Sequence, residues 1–181
     1  MESTTRRALF EDAVGEVYEP LQRYLRRRCA PDDADEVLND ALLTMWRRLD
    51  DIPADAQLPW SYGVARRCLA NHRRGSQRRL RLVDKASRAA APDHSPTWTS
   101  QADAELHDAL GRLSEDDREV VRLWAWERLE PREIAEVLDT TANAVSLRLT
   151  KARKKLEREI AGQDPAPAGH KHHEGHPEGE R

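Results

Sequence analysis

The chain has 181 residues, a formal net charge of -3 and 35% charged residues, a length that allows one domain or two small ones. Its two cysteines, Cys29 and Cys68, lie far apart without companions, which argues against a disulfide framework or a zinc site. No apolar run approaches the roughly 20 residues that cross a bilayer, and the amino terminus lacks the apolar core of a signal peptide, so we expect a cytoplasmic protein.

The first half of the chain is expected to be helical, because its apolar residues recur at helical spacing. A first helix is predicted over residues 5–29 and a second over 33–49, with apolar residues at i, i+3, i+4, i+7 and i+8. The other face of the second helix carries four polar residues: Asp35, Glu36, Asn39 and Asp40. Two prolines stop helix formation in a loop over 50–59. A third helix then starts near Trp60 and runs into an arginine-rich stretch.

The second half follows a segment without a periodic face, residues 86–101, whose composition suits a flexible linker. Four further helices are predicted: 102–112, 115–129, 131–138 and 142–160. Ser114 and Asp117 form a capping pair, and Pro131 suits the first position of a helix. The sequence therefore predicts an all-α fold of two small helical domains, 5–85 and 102–160. A disordered His-rich tail, residues 161–181, follows them, and no acidic or cysteine cage gives it the geometry of a metal site.

Charges alternate in blocks along these elements. Residues 30–57 carry eight acidic and two basic side chains, whereas residues 61–88 carry nine basic side chains and one Asp. The alternation repeats, because acidic residues 101–119 precede basic residues 142–160. Basic blocks suit phosphate groups, and acidic blocks are better suited to solvent or a protein partner. Each half therefore carries two surfaces of opposite character.

Residues 131–156 have the layout of a helix-turn-helix. A short apolar helix is followed by a turn at residues 139–141 and a second helix from Ala142. The second helix has an apolar back, formed by Val145, Leu149, Ala152 and Leu156. Entry into the major groove needs such a back and a polar front whose first residues reach base edges. Taken alone, this half also fits an amphipathic hairpin with a solvated basic face.

Three segments carry a resemblance to a known family. DADEVLNDALLTMW, residues 33–46, resembles the polymerase-binding helix of the sigma-70 family. WSYGVARRCLANHRR, residues 60–74, resembles the adjoining helix at the upstream edge of the melted promoter. Motifs within 110–153 resemble the promoter-binding carboxy-terminal domain of sigma factors. Their order, across about residues 8–160, is typical of extracytoplasmic-function (ECF) sigma factors.

This resemblance implies a factor that binds core RNA polymerase and directs it to promoter DNA, without enzymatic activity or a cofactor. The second helix would dock on the clamp helices of the largest polymerase subunit through Asp35, Glu36, Asn39, Asp40 and Trp46. The third helix would open and hold the minus-10 element through Trp60, Tyr62, Arg66, Arg67, Asn71, His72, Arg73, Arg74 and Arg78. The last helix would read the minus-35 element through Thr141, Asn143, Ala144, Ser146, Leu147, Arg148, Lys151 and Arg153.

The resemblance also implies a contact of the carboxy-terminal domain with the polymerase flap and an anti-sigma partner that holds the protein inactive. The chain departs from the common family pattern in two places. It has Ser146 and Leu147 where a basic residue followed by Ser is frequent, and Arg67 where Asn is common. These differences leave the fold intact but alter the expected DNA preference.

Simpler interpretations accompany these expectations. Leu38, Leu42 and Met45 are expected in the core rather than at a polymerase contact, and Trp60 is more often a packing anchor than a base-stacking residue. His72 fits a surface histidine as well as a base contact. A stand-alone helix-turn-helix regulator would explain only the carboxy-terminal half. An enzyme is disfavoured, because we find no phosphate-binding Gly loop, metal-ligand cluster or nucleophile with a base.

Overall fold

The computed structural model describes residues 2–84 and 101–161, with side chains described over 4–80 and 106–161. Within these ranges the chain forms seven α-helices and one 3₁₀ turn, Leu49–Asp51. The helices are α1 (Glu2–Arg26), α2 (Pro31–Arg47), α3 (Gln57–Asp84), α4 (Gln101–Gly111), α5 (Glu115–Ala125), α6 (Pro131–Leu138) and α7 (Ala142–Ile160). The predicted all-α class is confirmed. The predicted linker and tail lie outside the described residues, apart from Gln101 and Ala161.

Helices α1, α2 and α3 pack against one another to form the amino-terminal domain. The buried face of α2 has the predicted helical period, with Ala34, Val37, Leu38, Ala41 and Met45. Val17, Leu21 and Leu25 bury the matching stripe of α1, and each such side chain contributes about 1.5–3 kcal/mol when withdrawn from water. Tyr18, next to Val17, is 41% exposed, because its position lies at the edge of the buried arc.

The third helix begins at Gln57, three residues before the predicted start at Trp60. Pro59 therefore lies in the first turn of α3 instead of ending the preceding loop. A proline is tolerated there because the first backbone N–H groups of a helix have no partner within the helix. The predicted loop is correspondingly shorter.

The carboxy-terminal helices begin and end at residues with identifiable capping roles. Ser114 Oγ accepts a hydrogen bond from the Asp117 N–H at 3.2 Å, as the capping pair predicts. Pro131 opens α6, also as predicted, and Asp139 closes it in the left-handed conformation with φ 54°. Thr141 then caps α7 by accepting from the Ala144 N–H at 3.2 Å. These caps fix the tight turn of a helix-turn-helix.

Helix α5 ends at Ala125, four residues before the predicted boundary at residue 129. Arg128 takes a positive φ of 57°, a conformation that a right-handed helix does not contain. The Leu129 N–H donates back to the Leu123 carbonyl at 3.1 Å, and its side chain is 5% exposed. Leu129 thus closes a buried turn, which an apolar period alone does not distinguish from another helical turn.

Candidate nucleic-acid and protein interfaces

The acidic face of α2 stands in solvent, opposite its buried stripe. Four residues that were predicted to bind polymerase are exposed: Asp35, Glu36, Asn39 and Asp40. Leu43, three residues after Asp40, lies on the same face with 46% of its surface exposed. Sequence reasoning missed Leu43, although its position outside the apolar period was a signal. An apolar side chain at the end of this polar row gives the face a group that a protein partner can bury.

Trp46, the fifth residue predicted at this interface, belongs to the packing between α1 and α2. Its ring lies 5.1 Å from the ring of Phe10, edge to face. The Arg6 guanidinium lies 5.6 Å from the same ring and donates to the Trp46 carbonyl at 3.1 Å. Trp46 therefore orients α2 on α1.

One face of α3 presents a row of polar side chains to solvent. Its exposed members, at spacings of four, three and four, are Arg67, Asn71, Arg74 and Arg78. The Arg74 guanidinium donates to the Asn71 side-chain oxygen, which fixes the two side chains relative to each other. Guanidinium groups spaced along a helix suit a phosphate backbone.

His72 points away from this row. Its Nε2 lies 3.1 Å from Asp33 Oδ1 and its Nδ1 lies 3.8 Å from Glu36 Oε1, and its side chain is 7% exposed. The structure thus places His72 against α2, where it links the two helices. It occupies neither the base-facing position nor the open surface position expected from the sequence.

Two aromatic residues near the start of α3 are packed rather than open. Trp60 is partly buried against the core, with the Arg48 guanidinium 5.4 Å from its ring, in agreement with the packing interpretation. Tyr62 is 2% exposed, and its ring lies 5.0 Å from that of Tyr24. Burial, with a smaller contribution from Glu127, raises the pKa of Tyr62 to about 12.

The remaining arginines predicted to touch the minus-10 element face the carboxy-terminal domain. Arg73 donates to Glu115 of α5 at 3.4 Å and to the Arg28 carbonyl at 2.8 Å. Arg66, which is half-buried, lines a cavity of about 330 Å³ together with Ala144 and Arg148 of α7. Both arginines therefore lie against the carboxy-terminal domain, although the Arg73 side chain remains 45% exposed.

A cluster of buried charges joins the two domains. Arg28, two residues after the end of α1, pairs through Nε with Glu119 and through Nη1 with Glu127, each at 3.1 Å. Arg27 Nη1 also reaches Glu127, at 3.0 Å, and the Tyr24 hydroxyl donates to Glu119 at 3.1 Å. The side chains of Arg28 and Glu127 are only 2% and 3% exposed. We name Arg28, Glu119 and Glu127 the interdomain charge cluster.

Helix α7 carries a second solvent-facing row. Its exposed members, at spacings of four, four, three and four, are Asn143, Leu147, Lys151, Lys154 and Arg158. The opposite side is buried, as predicted, by Val145, Leu149 and Ala152. Among the described side chains, no carboxylate pairs with these Lys and Arg residues, so their charge is available to a partner. Leu147, 57% exposed, is an apolar group that suits the methyl of a thymine.

Two arginines that were predicted at the minus-35 contact bend back onto α5. Arg148 pairs with Asp116 at 3.2 Å and with Asp117 at 3.6 Å. The Arg153 guanidinium lies 4.8 Å from the ring of Trp124. Neither arginine lies on the outward row of α7.

No site for metal chemistry accompanies these surfaces in the described residues. No group of His, Cys, Asp and Glu there is arranged to hold a metal ion. Cys29 and Cys68 are free and half-buried, and burial raises the pKa of the Cys29 thiol to about 11. No helix in the described ranges is long and apolar enough to cross a membrane.

Comparison with known proteins covers both halves of the chain. The family described as Sigma-70, region 4 matches residues 103–156. The RNA polymerase sigma-E factor of Streptomyces avermitilis is 32% identical over 167 residues, covering 84% of this chain and 90% of that protein. The chain belongs to the ECF sigma factors of the sigma-70 family. The sigma-E factor of Streptomyces coelicolor is 30% identical to this sigma factor, covering 83% and 91% of the two chains.

A solved structure shares the fold across both domains. The sigma factor RpoE of Bartonella quintana, solved in complex with the anti-sigma factor NepR, superposes with a TM-score of 0.64. Sequence identity is 20%, and the match covers 86% of this sigma factor and 98% of that chain. The structural agreement extends beyond the helix-turn-helix. The two sigma-E relatives also match both halves of the chain, so a stand-alone regulator is not favoured.

The sigma factor also carries an exposed apolar groove between α4, α5 and α7. The groove encloses about 280 Å³ and includes Leu106, Trp124, Trp126 and Ile160, each between 37% and 54% exposed. Sequence periodicity did not indicate it, because its residues come from three helices. Large exposed aromatic side chains grouped in a concave surface are typical of a protein-binding site.

Proposed function

We propose that this sigma factor binds core RNA polymerase and directs it to specific promoters, acting in the cytoplasm where the polymerase works. The observation that carries the proposal is the pairing of two unlike surfaces in one chain. An exposed acidic face on α2 is unsuited to DNA, while the solvent-facing row of α7 is suited to it. A chain that only bound operators would have no use for the acidic face.

For polymerase binding we propose the acidic row of α2 together with Leu43 at its carboxy-terminal end. The residues are Asp35, Glu36, Asn39, Asp40 and Leu43. Trp46 acts indirectly, because its packing on Phe10 sets the angle of α2 on α1. The partner surface would be basic with an apolar pocket, and the clamp helices of the largest subunit are the proposed site.

For promoter DNA we propose two reading surfaces. The row of α3, with Tyr62, Arg66 and Arg73 once they are released from the carboxy-terminal domain, would hold the melted minus-10 strand. Unpairing and unstacking cost a few kcal/mol, which contacts to an extruded base and the backbone offset. The outward row of α7 would enter the major groove of the minus-35 element. Thr141 positions its first turn, and the caps of α6 and α7 fix its entry angle.

We propose two protein partners for the carboxy-terminal apolar groove, at different stages. The polymerase flap would occupy it during initiation. An anti-sigma factor would act before that stage, by analogy with the RpoE neighbour solved with NepR. Both partners would bury Trp124 and Trp126, so their binding would be mutually exclusive.

The test of the proposed function is co-purification with core RNA polymerase, comparing wild type with Asp35→Arg/Asp40→Arg. Reversal of two exposed charges on the acidic face should reduce binding at least tenfold, about 1.4 kcal/mol. The matched control is Asp12→Arg/Glu16→Arg, which reverses two exposed charges on α1 and should bind normally. Circular dichroism verifies the helicity of both variants. If the wild type does not bind core polymerase, the proposed function is wrong and an independent DNA-binding regulator takes its place.

A further inference from the structure

Part of the α3 surface that is proposed to hold DNA is covered by the carboxy-terminal domain, although its row of Arg67, Asn71, Arg74 and Arg78 is exposed. Gly63 comes so close to α6 that a Cβ atom built on it would lie 3.7 Å from the Cα of Val137. Tyr62, its neighbour, is 2% exposed. Arg66 of α3 lines the same cavity as Ala144 and Arg148 of α7. Residues of the two reading helices therefore share one interdomain space.

This packing is incompatible with simultaneous reading of two promoter elements. Elements named for positions 10 and 35 lie about 25 base pairs apart, which is about 85 Å at about 3.4 Å per base pair. Helices whose residues line one cavity of about 330 Å³ cannot occupy sites so far apart. Covalent geometry permits separation, because the sixteen residues 85–100 can span about 55 Å when extended, and the domains themselves add to that reach.

The interdomain charge cluster is the strongest polar contact across this packing. Its two carboxylates, Glu119 and Glu127, belong to the carboxy-terminal domain, and its guanidinium, Arg28, belongs to the amino-terminal domain. A buried charge is tolerated only while it remains paired, so loss of one side strongly destabilises the other. Each domain thus supplies charges that the other needs for as long as the two stay in contact.

The same interface also holds groups that separation would relieve. Arg28 Nη2 and Arg122 Nε are buried without a hydrogen-bond partner among the described residues. Burial, with the nearby charge of Arg28, lowers the pKa of Arg122 to about 10. An unsatisfied buried donor is costly and regains hydrogen bonds when water reaches it. The packed arrangement is therefore stabilised by a few buried ion pairs and destabilised by the buried donors that lack partners. This balance suits a contact that opens.

We propose that the interdomain charge cluster is an autoinhibitory latch that holds the free sigma factor closed, with the part of the minus-10 surface of α3 around Gly63 and Arg66 covered by its own carboxy-terminal domain. Opening separates Arg28 from Glu119 and Glu127 and releases Tyr62, Arg66 and Arg73 for DNA. This inference rests on the proposed function for the role of α3. The closed conformation itself can be measured without polymerase.

The first measurement is the distance between spin labels in the free full-length chain, by pulsed electron resonance. Leu9→Cys and Glu136→Cys place one label on an exposed position of each domain, and Cys29→Ala/Cys68→Ala removes the natural thiols. The wild-type background should give one short, narrow distance. Glu119→Gln/Glu127→Gln should broaden the distribution and extend it by tens of ångströms, because Arg28 loses both of its charged partners.

A second variant opens the interface without changing any charge. Gly63→Leu adds a side chain where only a Cβ has room and should wedge α3 from α6. Gly63→Ala is its control, because 3.7 Å is an ordinary contact distance and the packing should persist. Asp12→Asn/Glu16→Gln is the control for the double Gln variant, since it also removes two carboxylates but from the exposed face of α1.

The second measurement is binding of a fluorescent 20-nucleotide random-sequence single strand to the same free proteins. Both opening variants should bind it several-fold more tightly than wild type, and both controls should match wild type within twofold. A long, broad distance in the wild type, or unchanged distances in the double Gln variant, overturns the latch. Opening without a gain in strand binding overturns its inhibitory role. Failure of the wild type to bind core polymerase would instead contradict the proposed function and leave the distance result standing.

Discussion

Helices α3 and α7 are both basic and were both expected to touch DNA, yet they differ in availability. The solvent-facing row of α7 has no carboxylate partner among the described side chains. In α3, only part of the predicted set is open, because Tyr62 is buried and Arg73 is paired with Glu115. A basic block in a sequence therefore shows only where positive charge is concentrated. How much of that charge a nucleic acid can reach depends on the packing of the other domain.

The largest expected effect, on the free energy of unfolding, distinguishes the buried side of α7 from its exposed side. Leu149→Ala removes a side chain that is 8% exposed and should lower the free energy of unfolding by about 2–4 kcal/mol through lost burial and a cavity. Leu147→Ala, at a position 57% exposed, should change it by less than about 0.5 kcal/mol. Urea unfolding measures both variants. Equal losses would contradict the assignment of inner and outer faces.

The next largest effect should distinguish DNA binding by α7 from DNA binding by α3 in the free protein. Lys151→Ala should reduce the slope of log affinity against log salt for duplex DNA by about 0.9, the value for one phosphate contact. Arg73→Ala should leave the slope of the free chain nearly unchanged, because Arg73 is already held by Glu115 and the Arg28 carbonyl. Fluorescence anisotropy over a range of salt concentrations measures both slopes. A full reduction for Arg73→Ala would show that α3 is open in the free chain.

Most of the helices, and both faces of α2 and α7, could be predicted from the sequence. Apolar periodicity identifies a buried stripe, and residues such as Ser114 and Pro131 mark helix starts because their chemistry is local. Local patterns also explain the two boundary errors. Pro59 is compatible with a first turn as well as with a loop, and Leu129 is apolar in a turn as it would be in a helix.

Contacts between the domains could not be predicted in this way. Arg28 lies 91 positions from Glu119 and 99 from Glu127, and no periodic signal relates side chains so far apart. His72 and Arg153 were assigned to DNA from their helices alone, whereas the structure directs them to α2 and to Trp124. Charge blocks identified the surfaces correctly as basic or acidic but gave no information on which members are engaged internally.

The smallest effect concerns the titration of Tyr62. Its pKa of about 12 exceeds the ordinary value of about 10, so the neutral phenol stabilises the folded structure. That contribution is fully present below about pH 10 and is lost as the pH rises through about 12. Glu127→Gln should lower the pKa of Tyr62, because it removes a nearby negative charge and weakens the domain contact. Ultraviolet titration, with Tyr62→Phe to assign the signal, measures the shift, and an unchanged value would contradict burial by the carboxy-terminal domain.

The charges of the interdomain cluster belong to a single polypeptide, and this affects how the protein competes for polymerase. An intramolecular contact is insensitive to dilution, so the fraction of open molecules is the same in a cell with few copies as in one with many. If polymerase binds only open molecules, the apparent dissociation constant equals the intrinsic dissociation constant divided by the open fraction. An open fraction of one tenth therefore weakens apparent affinity tenfold, about 1.4 kcal/mol. Greater abundance raises occupancy of the polymerase, but only a ligand that distinguishes the two states changes the open fraction itself.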